Sequence, residues 1–134
     1  MASRSLDLVK PIIESWERGD FSDAGWADAA IEFVVDDVLS RETWTGVASL
    51  GKGWLTFLSN WDDYRVDADE FRELDGYRVL VLVRHGGRGK RSGVEIGKSE
   101  GAILFELRGE KVARLVAYLD RSRAFADVGI GSDA

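Results

Sequence analysis

The chain carries a single imidazole, His85, at the end of the apolar run VLVLVRH, residues 79–85. A lone imidazole becomes an acid–base group when a carboxylate fixes its tautomer and raises its pKa. The nearest candidate carboxylate is Glu95. If residues 77–85 and 95–105 form a hairpin centred near Arg91, Val83 pairs with Ser99, Val81 with Gly101 and His85 with Gly97, and inward-facing Glu95 lies diagonal to His85. His85 and Glu95 are therefore the candidate catalytic pair. The same pair also reads as a structural hydrogen bond closing one end of a sheet, and a slip of one residue would separate the two. Asp36 and Asp37 follow an apolar strand; adjacent strand residues point opposite ways, and the two read as solvated loop acids. Asp62, Asp63, Asp67, Asp69 and Glu70 read as a solvated strand edge.

The stretch GGRGKRSG, residues 86–93, looks superficially like a phosphate-binding loop. It joins two antiparallel strands and no helix N-terminus follows it, so Arg88, Lys90 and Arg91 read as a hairpin tip. Five tryptophans remain to be placed. Trp26 and Trp61 read as core, whereas Trp16 and Trp54 sit mid-helix, where they either fill the core or line a cavity.

These residues belong to a chain of 134 residues, a length that suits one domain over 1–134, with 129–134 a frayed tail. The net charge of −6 disfavours nucleic acid and anionic membranes as partners. The absence of cysteine excludes disulfide and thiolate chemistry, and with a single histidine it excludes the usual zinc sets; no metal and no cofactor is expected. No apolar segment is long enough to span a membrane, and MASRSLDLVK has no signal core, so the expected location is the cytoplasm.

Val9, Ile12, Ile13 and Trp16 recur at helical spacing and predict a first helix ending at Gly19-Asp20, with Pro11 forcing a late start or an irregular first turn. A short helix carrying Trp26 is expected after Ser22, then a strand over 31–37. Val47, Leu50, Trp54, Leu58 and Trp61 predict a longer helix with Thr45 as N-cap; Gly51 and Gly53 weaken it, so packing must hold it. Four strands follow as an antiparallel meander, with turns at Asp75-Gly76, 89–93 and 108–110, and a short helix over 121–126 closes the chain. The order predicts an α+β fold, a curved antiparallel sheet wrapped around helices.

Strand alternation sorts the faces of this sheet. One face carries Val81, Val83 and His85 opposite Gly97, Ser99, Gly101, Ile103 and Phe105, and the small residues predict a hollow concave face. The other carries Leu80, Leu82, Ala102, Leu104, Val116 and Tyr118 among Arg84, Lys98 and Arg114, and predicts a homodimer interface.

Six segments carry a resemblance: ERGDF (17–21), DAAIEFV (28–34), WTGVASL (44–50), WDDYRVDADEF (61–71), RGKRSGVEI (88–96) and KVARLVAYLDRSRAF (111–125). Together they resemble SnoaL-like proteins of the nuclear transport factor two-like superfamily, over nearly the whole chain. The resemblance implies a cone-shaped, cystatin-like roll with an internal cavity. Its known active sites do not carry over. The oxyanion-hole Tyr of the ketosteroid isomerases falls near Ile12, their general-base Asp near Val34, and the acid–base Asp of the limonene-epoxide hydrolases at Ala117; all three positions are apolar here.

The expected function is binding of a small apolar or cyclic molecule in the cone, walled by Trp16, Trp54, Val81, Val83, Ser99, Ile103 and Phe105, with His85 and Glu95 supplying polarity. The alternatives are an enzyme doing acid–base chemistry on such a molecule (an isomerase, cyclase or epoxide hydrolase) and a non-catalytic dimerisation domain.

Overall fold

The computed structural model describes residues 4–21, 25–37, 41–59, 61–89 and 95–129, the side chains of 61–63, 88–89 and 95–98 excepted. Its elements run α1 (Arg4–Glu17), β1 (Ala27–Asp36), β2 (Arg41–Thr45), α2 (Val47–Ser59), β3 (Trp61–Glu73), β4 (Arg78–Gly89), β5 (Glu95–Arg108), β6 (Lys111–Tyr118) and α3 (Arg121–Val128). The strands form one sheet in the order β2-β1-β6-β5-β4-β3. All neighbours are antiparallel except β1 and β6, so the sheet is mixed and not the purely antiparallel one expected. This is the expected α+β class.

Helix α1 buries Val9, Ile12, Ile13 and Trp16, the stripe its spacing predicts. It starts at Arg4 and passes through Pro11, whose exposed ring lies on the outer side. Its end is a Schellman turn: Gly19 has φ 81°, its N–H reaches the Trp16 carbonyl at 2.9 Å, and the Asp20 N–H reaches Ser15 at 2.9 Å.

The chain departs from expectation between residues 25 and 61. Trp26 sits in a turn and β1 begins at Ala27, where a short helix was expected. Thr45 ends strand β2, and α2 starts after Gly46, whose φ is 90°. Trp61 opens β3 instead of closing α2. A glycine inside α2 has a packing reason: a Cβ on Gly53 would lie 2.5 Å from the Trp44 indole, so the missing side chain admits that ring.

The sheet separates two apolar layers. On the concave side α1 and α2 pack over Phe33, Val79, Val81, Val83, Ile103, Phe105 and Leu115. On the convex side Val34, Leu80, Leu82, Ala102, Leu104, Val116 and Tyr118 pack with Ala124 and Phe125 of α3. The face expected to meet a second copy of the chain is therefore covered from within the chain, with Leu80, Ala102 and Val116 at 0% exposure. β3 carries register shifts between Asp62 and Arg65 and between Ala68 and Glu70; bulges of this kind bend a strand and help wrap the sheet around its helices.

Candidate functional site

His85 stands on the concave face of β4, in the same row as Val83, Val81 and Val79. Alternation alone predicts this, and here it holds. The partners do not: Val83 pairs with Gly101, Val81 with Ile103 and His85 with Ser99, two residues away from the expected register. A shift of two preserves which face each residue occupies and changes which residues meet. A further register shift lies between His85 and Gly87, and Glu95 pairs with Arg88. The expected diagonal between His85 and Glu95 is thus replaced on the backbone ladder by His85 with Ser99, and the Glu95 side chain lies outside the described residues.

The small residue expected to leave a hollow is Gly101, and the imidazole fills that space. A Cβ at Gly101 would lie 2.9 Å from both Cδ2 and Nε2 of His85, and 2.7 Å from the Tyr118 carbonyl. Nε2 lies 3.4 Å from the Leu119 carbonyl oxygen, to which it donates when protonated. The residue is 5% exposed. Burial pushes its pKa below the ordinary histidine value, against a smaller opposing effect of the Leu119 carbonyl. This is the reverse of the rise that a neighbouring carboxylate would produce, and it leaves the ring neutral at pH 7.

Behind His85 the concave interior is a continuous aromatic cluster. Trp16 stacks on Phe105 with centroids 5.8 Å apart and tilts against Trp54 at 5.1 Å. Trp54 meets Phe33 edge-on at 5.3 Å, and Phe33 stacks on Trp44 at 5.6 Å. Of the expected wall residues, Trp16, Val81, Val83, Ile103 and Phe105 are buried in this layer, while Trp54 and Ser99 are half-buried. A depression of about 200 Å³ opens beside Trp16, between Leu8, Pro11, Ile12 and Ser15 of α1 and the Trp26 indole.

Tyr64 is a neighbour that the sequence reading misses. Its ring centre is 6.2 Å from the imidazole and 5.1 Å from Phe57, which it meets edge-on. Burial pushes the phenol pKa above its ordinary value, so the hydroxyl keeps its proton through neutral pH. The available signal was alternation along β3, because Val66, two residues on, pairs with His85.

Asp36 overturns its expectation as a solvated loop acid. It ends β1 at 0% exposure. Its carboxylate accepts from Arg41 of β2 at 2.6 Å and from Arg123 of α3, through Nε and, at 3.2 Å, through Nη2. Arg41 also reaches Asp127 at 3.0 Å, and the Tyr118 hydroxyl donates to Asp127 at 2.9 Å. Burial works to raise the Asp127 carboxyl, but the hydrogen bonds from Arg41 and Tyr118 hold it below the usual carboxylate range. The cluster lies on the convex side, away from His85, and clasps α3 to the sheet. Asp69 lies exposed on the edge strand β3, as expected, and there accepts from Arg84 and Arg121, each at 3.0 Å.

The positions that the resemblance aligns with known active-site polar groups are apolar in space as well. Ile12 is buried on the inner side of α1, Val34 turns to the convex side, and Ala117 packs half-buried on the concave core. Among the described residues no group of three or more His, Asp or Glu could hold a metal ion, and no helix is long and apolar enough to cross a membrane.

At the sequence level no protein-family model and no curated protein matches the chain. Solved structures do. A nuclear transport factor two-like protein of Burkholderia pseudomallei superposes with a TM-score of 0.77 at 15% identity, covering 93% of this chain and 97% of that one. A Jannaschia sp. protein named as a candidate SnoaL-like polyketide cyclase gives 0.73 at 12% identity, covering 86% and 84%. A Catenulispora acidiphila protein with a ketosteroid isomerase-like fold, solved in complex with trimethylamine, gives 0.69 at 18% identity, covering 96% of each chain. The chain has the nuclear transport factor two-like, SnoaL-like fold that its sequence resembles.

Proposed function

We propose that the protein binds a small, ring-bearing apolar molecule at the end of the cone where His85, Tyr64 and Ser99 meet the aromatic layer. The observation that carries this reading is a buried imidazole whose ring centre lies 6.2 Å from that of the Tyr64 phenol, at the edge of an otherwise apolar concave face. Such a site supplies shape-selective walls and a few polar groups that orient the ligand. The walls are Trp54, Val81, Val83, Ile103 and Phe105; the half-buried members, Trp54, Tyr64 and Ser99, are the ones a ligand can reach with least rearrangement. The trimethylamine held by the Catenulispora protein supports the capacity of this fold to take a small ligand.

The test is a titration with a panel of phenols, naphthols and cyclic ketones, read by tryptophan emission and melting temperature. A binder at a hundredfold excess over its Kd stabilises by about 2.7 kcal/mol. The expected result is saturable quenching with a raised Tm for at least one ring class, weakened in His85→Ala. A panel that moves neither signal at millimolar concentration overturns the reading.

A second reading is proton transfer on such a ligand with His85 as the acid–base group. It is favoured by the lowered pKa, which keeps the ring unprotonated and able to accept a proton at neutral pH. Turnover of a bound ligand that survives His85→Ala unchanged removes it.

A further inference from the structure

An imidazole has two nitrogens, and the backbone around His85 decides which one carries the proton. The Leu119 carbonyl can only accept, and it faces Nε2 at 3.4 Å. In the neutral ring this places the hydrogen on Nε2 and the basic lone pair on Nδ1. The ring keeps this position by lying against Gly101, where any Cβ would collide with it.

Gly101 is in turn held from the other side of the sheet. Arg121, the first residue of α3, donates from Nε to the Gly101 carbonyl at 3.1 Å and from Nη2 to the Val83 carbonyl at 2.9 Å. These two residues face each other across β4 and β5, and Val83 precedes His85 by two positions. Arg121 also follows Leu119 by two positions, so it ties down the segment that presents the accepting carbonyl. Its own place is fixed by Asp69 at 3.0 Å and Glu100 at 3.4 Å, and its side chain is 17% exposed. A planar guanidinium can hold two carbonyls and a carboxylate at once; an ammonium lacks that fork.

We infer that Arg121 is a positioning residue for His85: gripping the Val83 and Gly101 carbonyls from the convex side, it holds the imidazole over Gly101 with Nε2–H on Leu119 and Nδ1 as the lone-pair nitrogen. The importance of that ring to a ligand rests on the function proposed above; its tautomer does not.

The experiment is a long-range proton–nitrogen NMR spectrum of the uniformly ¹⁵N-labelled protein at pH 8, where the single histidine needs no assignment. The ligand-free protein should show one tautomer, protonated at Nε2. Arg121→Ala should lower the ratio of the two tautomers about tenfold, the worth of one neutral hydrogen bond. Arg121→Lys should restore part of it. Arg114→Ala removes a comparable guanidinium, bonded to Glu32 and Glu106 on the same face, and should leave the ratio unchanged. A ring protonated at Nδ1 or evenly mixed overturns the proposal. So does an Arg121→Ala protein that loses stability like Arg114→Ala and keeps its tautomer. If Arg121→Ala does not fold, Asp69→Asn loosens Arg121 from a partly exposed site; a smaller shift in the same direction is expected, and an unchanged ratio overturns the proposal. None of these readouts needs a ligand, so a failed ligand panel and a failed tautomer measurement remain separate results.

Discussion

Two glycines on one helix separate propensity from packing. Gly51 has nothing within 4 Å of a built Cβ, whereas at Gly53 three Trp44 ring atoms lie within 2.9 Å. In urea melts Gly51→Ala should gain about 0.5–1 kcal/mol from helix propensity alone. Gly53→Ala should lose about 1 kcal/mol, because overpacking costs of 1–3 kcal/mol exceed the same gain. A stabilised Gly53→Ala would mean that Trp44 moves freely. His85 makes a prediction in pH. Its folded pKa lies below the unfolded value, so between those two values the unfolded chain binds more protons and stability rises with pH. Stability should therefore be fully present above about pH 6.5 and should fall as the pH drops from there toward the folded pKa. His85→Gln should flatten that segment of a stability–pH profile, and a profile unchanged by the substitution would show that the ring is not desolvated. The face that His85 occupies was legible from alternation alone. Its partner was not, because a two-residue register shift keeps every face and replaces every neighbour.

Helix α3 depends on its two ends and on one buried carboxylate. The Asp120 side chain caps its start by accepting from Ser122 N–H, and Gly129 closes it with φ 77°. Asp36 joins it to β1 and β2 through Arg123 and Arg41. Removing one member of a fully buried ion pair costs about 3–5 kcal/mol. Here the stranded guanidinium side chains are 43% and 38% exposed and can rehydrate, so the smaller figure for a charged hydrogen bond applies. Asp36→Asn should cost about 1.5–3 kcal/mol by thermal or chemical unfolding. It should also speed amide exchange in α3 ahead of β4 and β5. Uniform acceleration everywhere would show that α3 has no separate opening. The last helix and the turns at Asp75-Gly76 and Gly109-Glu110 were readable because glycine and aspartate mark them locally, while most of the turn expected over 89–93 lies outside the described residues. β2 was not, since four of its five residues are exposed and offer no apolar alternation. Nor was the buried state of Asp36, which depends on arginines at positions 41 and 123, far apart in sequence.

For the molecule as a whole, the expectation of a sticky convex face fails because the chain supplies its own cover. Phe125 of α3, 5% exposed, sits in that layer. Phe125→Asp should lift the helix and expose Leu82, Ala102 and Tyr118, producing self-association in sedimentation velocity and binding of a hydrophobic dye. A monomeric, dye-free variant would show that the strands are covered by other means. The α+β class and both faces of the sheet could be read from periodicity, but the parallel pair of β1 and β6 could not, because no turn or spacer marks a contact between Phe33 and Leu115. That pair has a further consequence. Among the described residues β1 and β2 join the other strands only through β6, the last of the six strands in sequence. A growing chain can form the hairpin of β1 with β2 and the meander of β3, β4 and β5 early, yet these remain two half-sheets until β6 arrives and zips them together. Joining of the two half-sheets thus has to wait for β6, and a nascent chain halted before Lys111 should present both unzipped edges to chaperones.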